Sequence, residues 1–139
     1  MLLPLERLDG KTVFIDSSVI FRVRPGLKSM EPEAVSVVHY DPTPDTRRYE
    51  TLASKEPLAT VIAGLRVALP MVELTSPSGT QVFLDASKVS SIEPATKGLH
   101  FKGAKAVVRV YNQIQQVSES VAAARKLIDA ARAEAAAGA

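Results

Sequence analysis

Two stretches, GKTVFIDSSVIFRVRP (Gly10–Pro25) and GTQVFLDASKVSSIEP (Gly79–Pro94), decide how this chain is to be read. Laid over each other at a constant offset of 69 residues, they align Gly10 with Gly79, Val13-Phe14 with Val82-Phe83, Asp16 with Asp85, Ser18 with Ser87 and Pro25 with Pro94. An internal repeat fixes the unit of folding and so comes before any residue-level reading.

Outward from these stretches the two halves keep step. LPLERL (3–8) and MVELTS (71–76) read as strands, and the Gly-containing turns DGK and PSGT join each to TVFI or QVFL, a hairpin signal. Asp16 and Asp85, each with Ser two residues on, punctuate the run, because short polar side chains bond to nearby backbone and let it bend. VIFRVR and KVSSIE resume as strands and stop at Pro25 and Pro94. AVSVVHY (34–40) and AVVRVY (106–111) follow, both closing on Tyr, and YETLA (49–53) and IQQV (114–117) finish the sheets. Between them the first half carries the insertion DPTPDTRR, whose prolines break a ladder; the second half has only NQ.

Each half ends in a helix. In the first, Ser54 is the expected N-cap with Pro57 in the first turn, and Leu58, Val61, Ile62, Leu65 and Leu69 form a one-sided stripe that Pro70 ends. In the second, Ser118 or Ser120 caps VAAARKLIDAARAEAAA; Val121, Ala124, Ile128 and Ala131 line one side, while Arg125, Asp129 and Arg132 pair along another. The expected fold is therefore α+β: two pseudo-symmetric ββββα repeats, residues 1–69 and 70–139, whose small antiparallel sheets and helices pack into one compact body. A single small sheet with one helix buries little by itself, so the second copy supplies a built-in partner.

Composition bounds the function. With 139 residues, 46% apolar and 23% charged, the chain can build an ordinary core. No apolar run approaches the roughly 18–20 residues that cross a bilayer, and MLLPLERLDG does not read as a signal peptide; a cytoplasmic location, or a virion, is expected. Absence of cysteine removes disulfide and thiolate chemistry. The net charge of +2 is uneven: nine basic and nine acidic residues balance in the first half, whereas the second holds eight against six. Lys97, Lys102, Lys105 and Arg109 fall between Glu93 and Glu119 with no acid among them.

Candidate chemistry is sparse. Asp16 and Asp85 recur at one place in each repeat, which suggests paired carboxylates for acid–base work, but turn formation accounts for the residue type. His39 and His100 occupy non-equivalent positions and lack neighbours at metal-ligand spacing. No phosphate-binding glycine loop, nucleophile elbow or metalloprotease helix is present. No enzyme activity, cofactor, metal or small-molecule substrate is inferred. The binding candidate is KGLHFKGAK (97–105): Lys97, His100, Phe101, Lys102, Lys105 and the following Arg109 combine charge with an aromatic able to stack on a base. The first half has GLKSMEPEA instead. The alanine-rich end DAARAEAAAGA offers a surface on which another backbone could approach closely.

The pattern LERLDGKTVFIDSSVIFRV, seen again as VELTSPSGTQVFLDASKVSSIE, resembles the small flagellar proteins of the FlbD/SwrD type, and VSESVAAARKLI resembles that family's entry into its final helix. The resemblance spans most of the chain as a tandem, whereas the family is normally a single copy; PSG replaces the expected Asn-Gly, and DPTPDTRR is foreign. It implies a cytoplasmic, non-enzymatic accessory to flagellar assembly or motor power, without cofactor. The expected function is thus protein–protein interaction, with a protein partner or homo-oligomer, inside a flagellar, virion or secretion-machine assembly. The alternative is a nucleic-acid-binding module using residues 97–109.

Overall fold

The computed structural model describes residues 1–43 and 48–137; Pro44 to Arg47 of the DPTPDTRR insertion and the last two residues of the alanine-rich end lie outside the described residues. The fold is α+β, with antiparallel strands and two helices. The chain divides into two compact units, Met1–Leu69 and Pro70–Ala139.

The first unit opens with a hairpin of β1 (Leu2–Glu6) and β2 (Thr12–Asp16). Leu3, Leu5 and Ile15 point inward while Leu2, Pro4 and Phe14 stay exposed, the period-two pattern of a strand with one buried face. Gly10, at φ 84, makes the tight turn that a side chain would strain. A 3-10 turn, Ser17–Val19, leads into β3 (Ile20–Pro25), which runs antiparallel to β4 (Ser36–Tyr40), and β4 pairs with β5 (Glu50–Ser54). Helix α1 (Leu58–Arg66) buries Val61, Ile62 and Leu65 and packs on β1 so closely that a Cβ at Gly64 would sit 2.8 Å from the Leu3 side chain.

The second unit has the hairpin β6 (Met71–Thr75) and β7 (Gln81–Asp85), a 3-10 turn Ala86–Lys88, the meander β8 (Val89–Pro94), β9 (Ala106–Val110) and β10 (Gln113–Val117), and helix α2 (Val121–Ala137). Inside it, Ala106, Val108, Val110, Val117, Ala124 and Ile128 form a core. The stripe read for α2 faces that core: Ala124 and Ile128 are buried, Val121 and Ala131 half-buried. Ser120 is the cap, its Oγ accepting from Ala123 N–H at 3.1 Å.

Both units follow the order β-β-turn-β-β-β-α, so four strands per half is corrected to five, arranged as a hairpin plus a three-stranded meander. A recurrent set of backbone bonds accompanies that order. Gly10 and Gly79 N–H donate to Arg7 and Ser76 O, Ser17 and Ala86 to Met1 and Pro70 O, Asp41 and Tyr111 to Val19 and Lys88 O, and Lys55 and Ser118 to Glu6 and Thr75 O. Each meander also bulges at its start, between Ile20 and Arg22 and between Val89 and Ser91. Register settles the alignment of the fourth strands: Tyr40 lies opposite Ile20 and Val110 opposite Val89, so Tyr40 corresponds to Val110, not to Tyr111.

Ser54 is not a helix cap. Pro57 occupies the N-cap of α1, and Ser54 instead ends β5, fully buried, donating from Oγ to Glu6 O at 2.8 Å and accepting from Glu56 N–H at 3.0 Å. It stitches the end of the meander to the hairpin. In the second unit Val117 stands where Ser54 does, and the next residue, Ser118, reaches Thr75 O from its Oγ at 3.4 Å, close to the limit of a useful geometry. Ser54→Ala should therefore lower stability in urea unfolding by ~1–2 kcal/mol, and Ser118→Ala by clearly less; equal losses would show that this stitch does not hold the unit closed.

Candidate functional site

The connection from β8 to β9 carries the sequence-predicted residues, and its backbone is closely tied. Ala95 N–H donates to Lys105 O, Leu99 and His100 N–H to Thr96 O, and Ala104 N–H to Phe101 O. His100 is half-buried and its Nδ1 accepts from Thr96 N–H at 2.7 Å, so this histidine shapes the loop. Phe101 N–H donates to Gln116 Oε1 at 2.7 Å. Gly103, at φ 91, turns where a Cβ would come within 3.2 Å of Pro77 O.

The tied loop turns its large apolar groups outward. Phe101 is 72% exposed and Leu99 75%; Phe101 does not fold back onto the core. Lys97, Lys102 and Lys105 of the same loop are exposed as well, and residues 95–98 and 100–104 line an open pocket of ≈ 460 Å³. Arg109 sits on β9 with Ser91 and Ile114 as its cross-strand neighbours. Two positions along, Gln116 lies opposite Val107, so the strand period places Arg109 on the face to which the loop is anchored. Glu93, opposite Val107 on β8, shares that face. Leu99 is the residue that the charge-centred reading of the sequence passed over.

The two repeated aspartates serve their own turns. Asp16 Oδ1 accepts from Ser18 N–H at 2.9 Å and Oγ–H at 2.8 Å, and Asp85 Oδ1 from Ser87 N–H at 3.0 Å and Oγ–H at 2.6 Å. Asp85 is fully buried and its second oxygen pairs with Lys88 Nζ. The bonds from Ser18 hold the Asp16 carboxyl below its usual range. Arg132 does not pair with Asp129 as read from the sequence; it donates to Ala86 O and Val89 O at 2.9 and 2.7 Å, clamping the second 3-10 turn to α2, while Arg125 and Asp129 approach to 3.6 Å.

His39 belongs to a polar cluster that sequence reasoning missed. Arg22 and Arg24, two apart on β3, share a face with His39 of β4. Arg22 Nη2 lies 3.2 Å from His39 Nδ1, and Arg24 Nε lies 3.2 Å from His39 Nε2. Neutral imidazole has one acceptor nitrogen, so one of these contacts sets two N–H groups face to face. Arg24 makes a bidentate pair with Glu31 at 2.8 Å, and Glu31 also accepts from Leu27 N–H. Tyr49 stacks on the imidazole at 5.6 Å, and Phe21 meets both rings edge-on. Burial, with Arg22 and Arg24 adding to it, depresses the His39 pKa to about 3; the bonds from Arg24 hold Glu31 low. The cluster ties β3, β4 and the loop after β3 together; among the described residues no group of three or more His, Asp or Glu could hold a metal ion. Nor is any helix among them long and apolar enough to cross a membrane.

Comparison with protein-family models, with curated proteins and with solved structures finds no match to this chain.

Because His39 titrates near 6.5 when unfolded and near 3 when folded, the folded state gains its full advantage above about pH 6.5. That advantage is lost as pH falls from there toward 3. Between pH 6.5 and 5.5 wild-type stability should decline measurably, and His39→Gln should flatten the decline. Parallel urea-unfolding curves at matched pH values check this, and identical slopes for both proteins would contradict it.

Proposed function

We propose that this chain is a non-catalytic interaction component: a tandem of two related small modules that docks a protein partner through the loop 95–105. The observation that carries the reading is the outward display of Leu99 and Phe101 from a loop whose backbone is tied down by its own hydrogen bonds. Exposed apolar side chains grouped within a polar rim mark interaction sites. Lys97, Lys102 and Lys105 are exposed in the same loop, so the partner surface is apolar with carboxylates nearby.

The tandem reading is supported by the repeated sequence, the common element order and the recurrent backbone bonds. The non-catalytic reading is supported by the aspartates, each of which gives its Oδ1 to its own turn. The resemblance of each half to FlbD/SwrD-type proteins favours an accessory of flagellar assembly, and a virion or secretion-machine component uses the same features.

One observation favours a second reading. Arg109 extends the charge of the loop lysines along the face to which Phe101 is anchored, an arrangement that suits stacking on a base with phosphate contacts around it. Leu99, which has no use in such a contact, places the protein reading first.

Two double variants of the full chain separate them. Leu99→Ala with Phe101→Ala should weaken capture of a protein partner roughly tenfold or more, with little salt dependence. Lys102→Glu with Lys105→Glu should abolish binding to a fluorescent single-stranded oligonucleotide if that binding exists and falls steeply with salt. Unchanged partner capture by both variants, with no oligonucleotide binding at low salt, refutes a binding role for this loop.

A further inference from the structure

The two units treat equivalent strands in opposite ways. Phe14 on β2 is 62% exposed, whereas Phe83, 69 residues later on β7, is 5% exposed. Leu2, beside Phe14 on the same face of the hairpin, is equally open, whereas Met71 in the second hairpin is buried. The reverse holds for the next strands: β3 is buried from Ile20 to Val23, while β8 is half-buried or exposed along its length. The β2 face of the first unit and the β8 edge of the second are therefore surfaces of a type that this fold elsewhere keeps from water.

The β8 edge also has a ready seat. β8 is bonded to β9 on one side, and a groove of ≈ 290 Å³ runs between it and α2, lined by Val89, Ser91 and Ile92 on the strand and by Val121, Arg125 and Asp129 on the helix. Arg132 of α2 donates to the Val89 carbonyl at 2.7 Å, which closes the groove at the start of the strand. Where β3 carries Phe21 and Arg22, β8 carries Ser90 and Ser91, small side chains that leave room for an incoming aromatic. A groove between an edge strand and a helix is the geometry in which an extended segment adds as a further strand.

We propose that this groove receives β2 of a second copy of the chain, with Phe14 as the anchor. β2 is itself the outer strand of a two-stranded hairpin, so its free edge can complete the ladder. Its exposed face joins apolar Leu2 and Phe14 to the carboxylate of Asp16, matching a groove that sets Val89, Ile92 and Val121 beside the exposed Arg125. The joint is heterologous: β2 of one chain meets β8 of the next, leaving one free surface of each kind at the ends. Such a contact grows head to tail into a ring or an open filament. This surface is separate from the loop 95–105, and its use does not depend on that loop's partner.

Sedimentation and light scattering of the full chain over a wide concentration range test the joint. Wild type should show mass rising with concentration. Phe14→Asp should weaken association at least tenfold, and so should Ser91→Trp, which fills the groove; Val121→Arg serves the same purpose if Ser91→Trp fails to fold by circular dichroism. Each variant keeps one intact surface, so mixing Phe14→Asp with a groove variant should restore a dimer and nothing larger. A wild-type chain that stays monomeric, including one whose groove takes a strand from another protein, overturns the proposal. So does a mixture that fails to form the dimer, or assembly that survives in both single variants.

Discussion

A carboxylate that accepts a backbone N–H two residues ahead is the constraint on which each unit rests. Asp16 and Asp85 stop a hairpin strand, hold one turn of 3-10 helix and release the chain as the first strand of a meander. Without that corner the second hairpin strand would continue straight. The meander could not then return its last strand to the hairpin, where Ser54 meets Glu6 and Ser118 meets Thr75. The corner is reinforced differently in the two units. In the second it is buried, paired to Lys88 and clamped by Arg132 from α2; in the first it faces solvent.

Burial on both faces of β3 and β4 creates the second constraint. Val23 and Val38 take one face and Arg22 and His39 the other, all nearly inaccessible to water. Guanidinium groups leave water at a cost that only good partners offset, and here the offset is partial. Arg24 has a full carboxylate fork in Glu31, whereas His39 faces two donors with one acceptor nitrogen. The aromatic rings of Phe21 and Tyr49 supply contact around the imidazole without adding charge. The result specifies one arrangement of the loop after β3, because Glu31 also fixes Leu27 N–H.

Much of this was legible in the sequence because it is written in local chemistry. Gly at the hairpin turns, Asp-x-Ser at the corners and the Val121–Ala124–Ile128 stripe each need only near neighbours to act, and each was read correctly. What escaped depends on distant partners. Ser54 looks like a helix cap until Glu6 is seen beside it. The equivalence of Tyr40 with Val110 is hidden because the loop between β8 and β9 is one residue longer than that between β3 and β4. The role of His39 requires knowing that Arg22 stands opposite. At the candidate site, the lysines announced themselves by charge. The outward turn of Phe101 and Leu99 did not, because it follows from Gln116 capturing one backbone N–H from another strand.

That capture has a kinetic consequence. A loop already fixed by its glycine turn at Gly103, by the imidazole of His100 and by Gln116 has surrendered its conformational freedom before any partner arrives. Ordering a mobile segment at the moment of encounter consumes interaction energy and slows productive docking. For the docking role proposed above, only side chains of the loop would remain to be immobilised, so a modest contact area would suffice for a rapid and reversible grip.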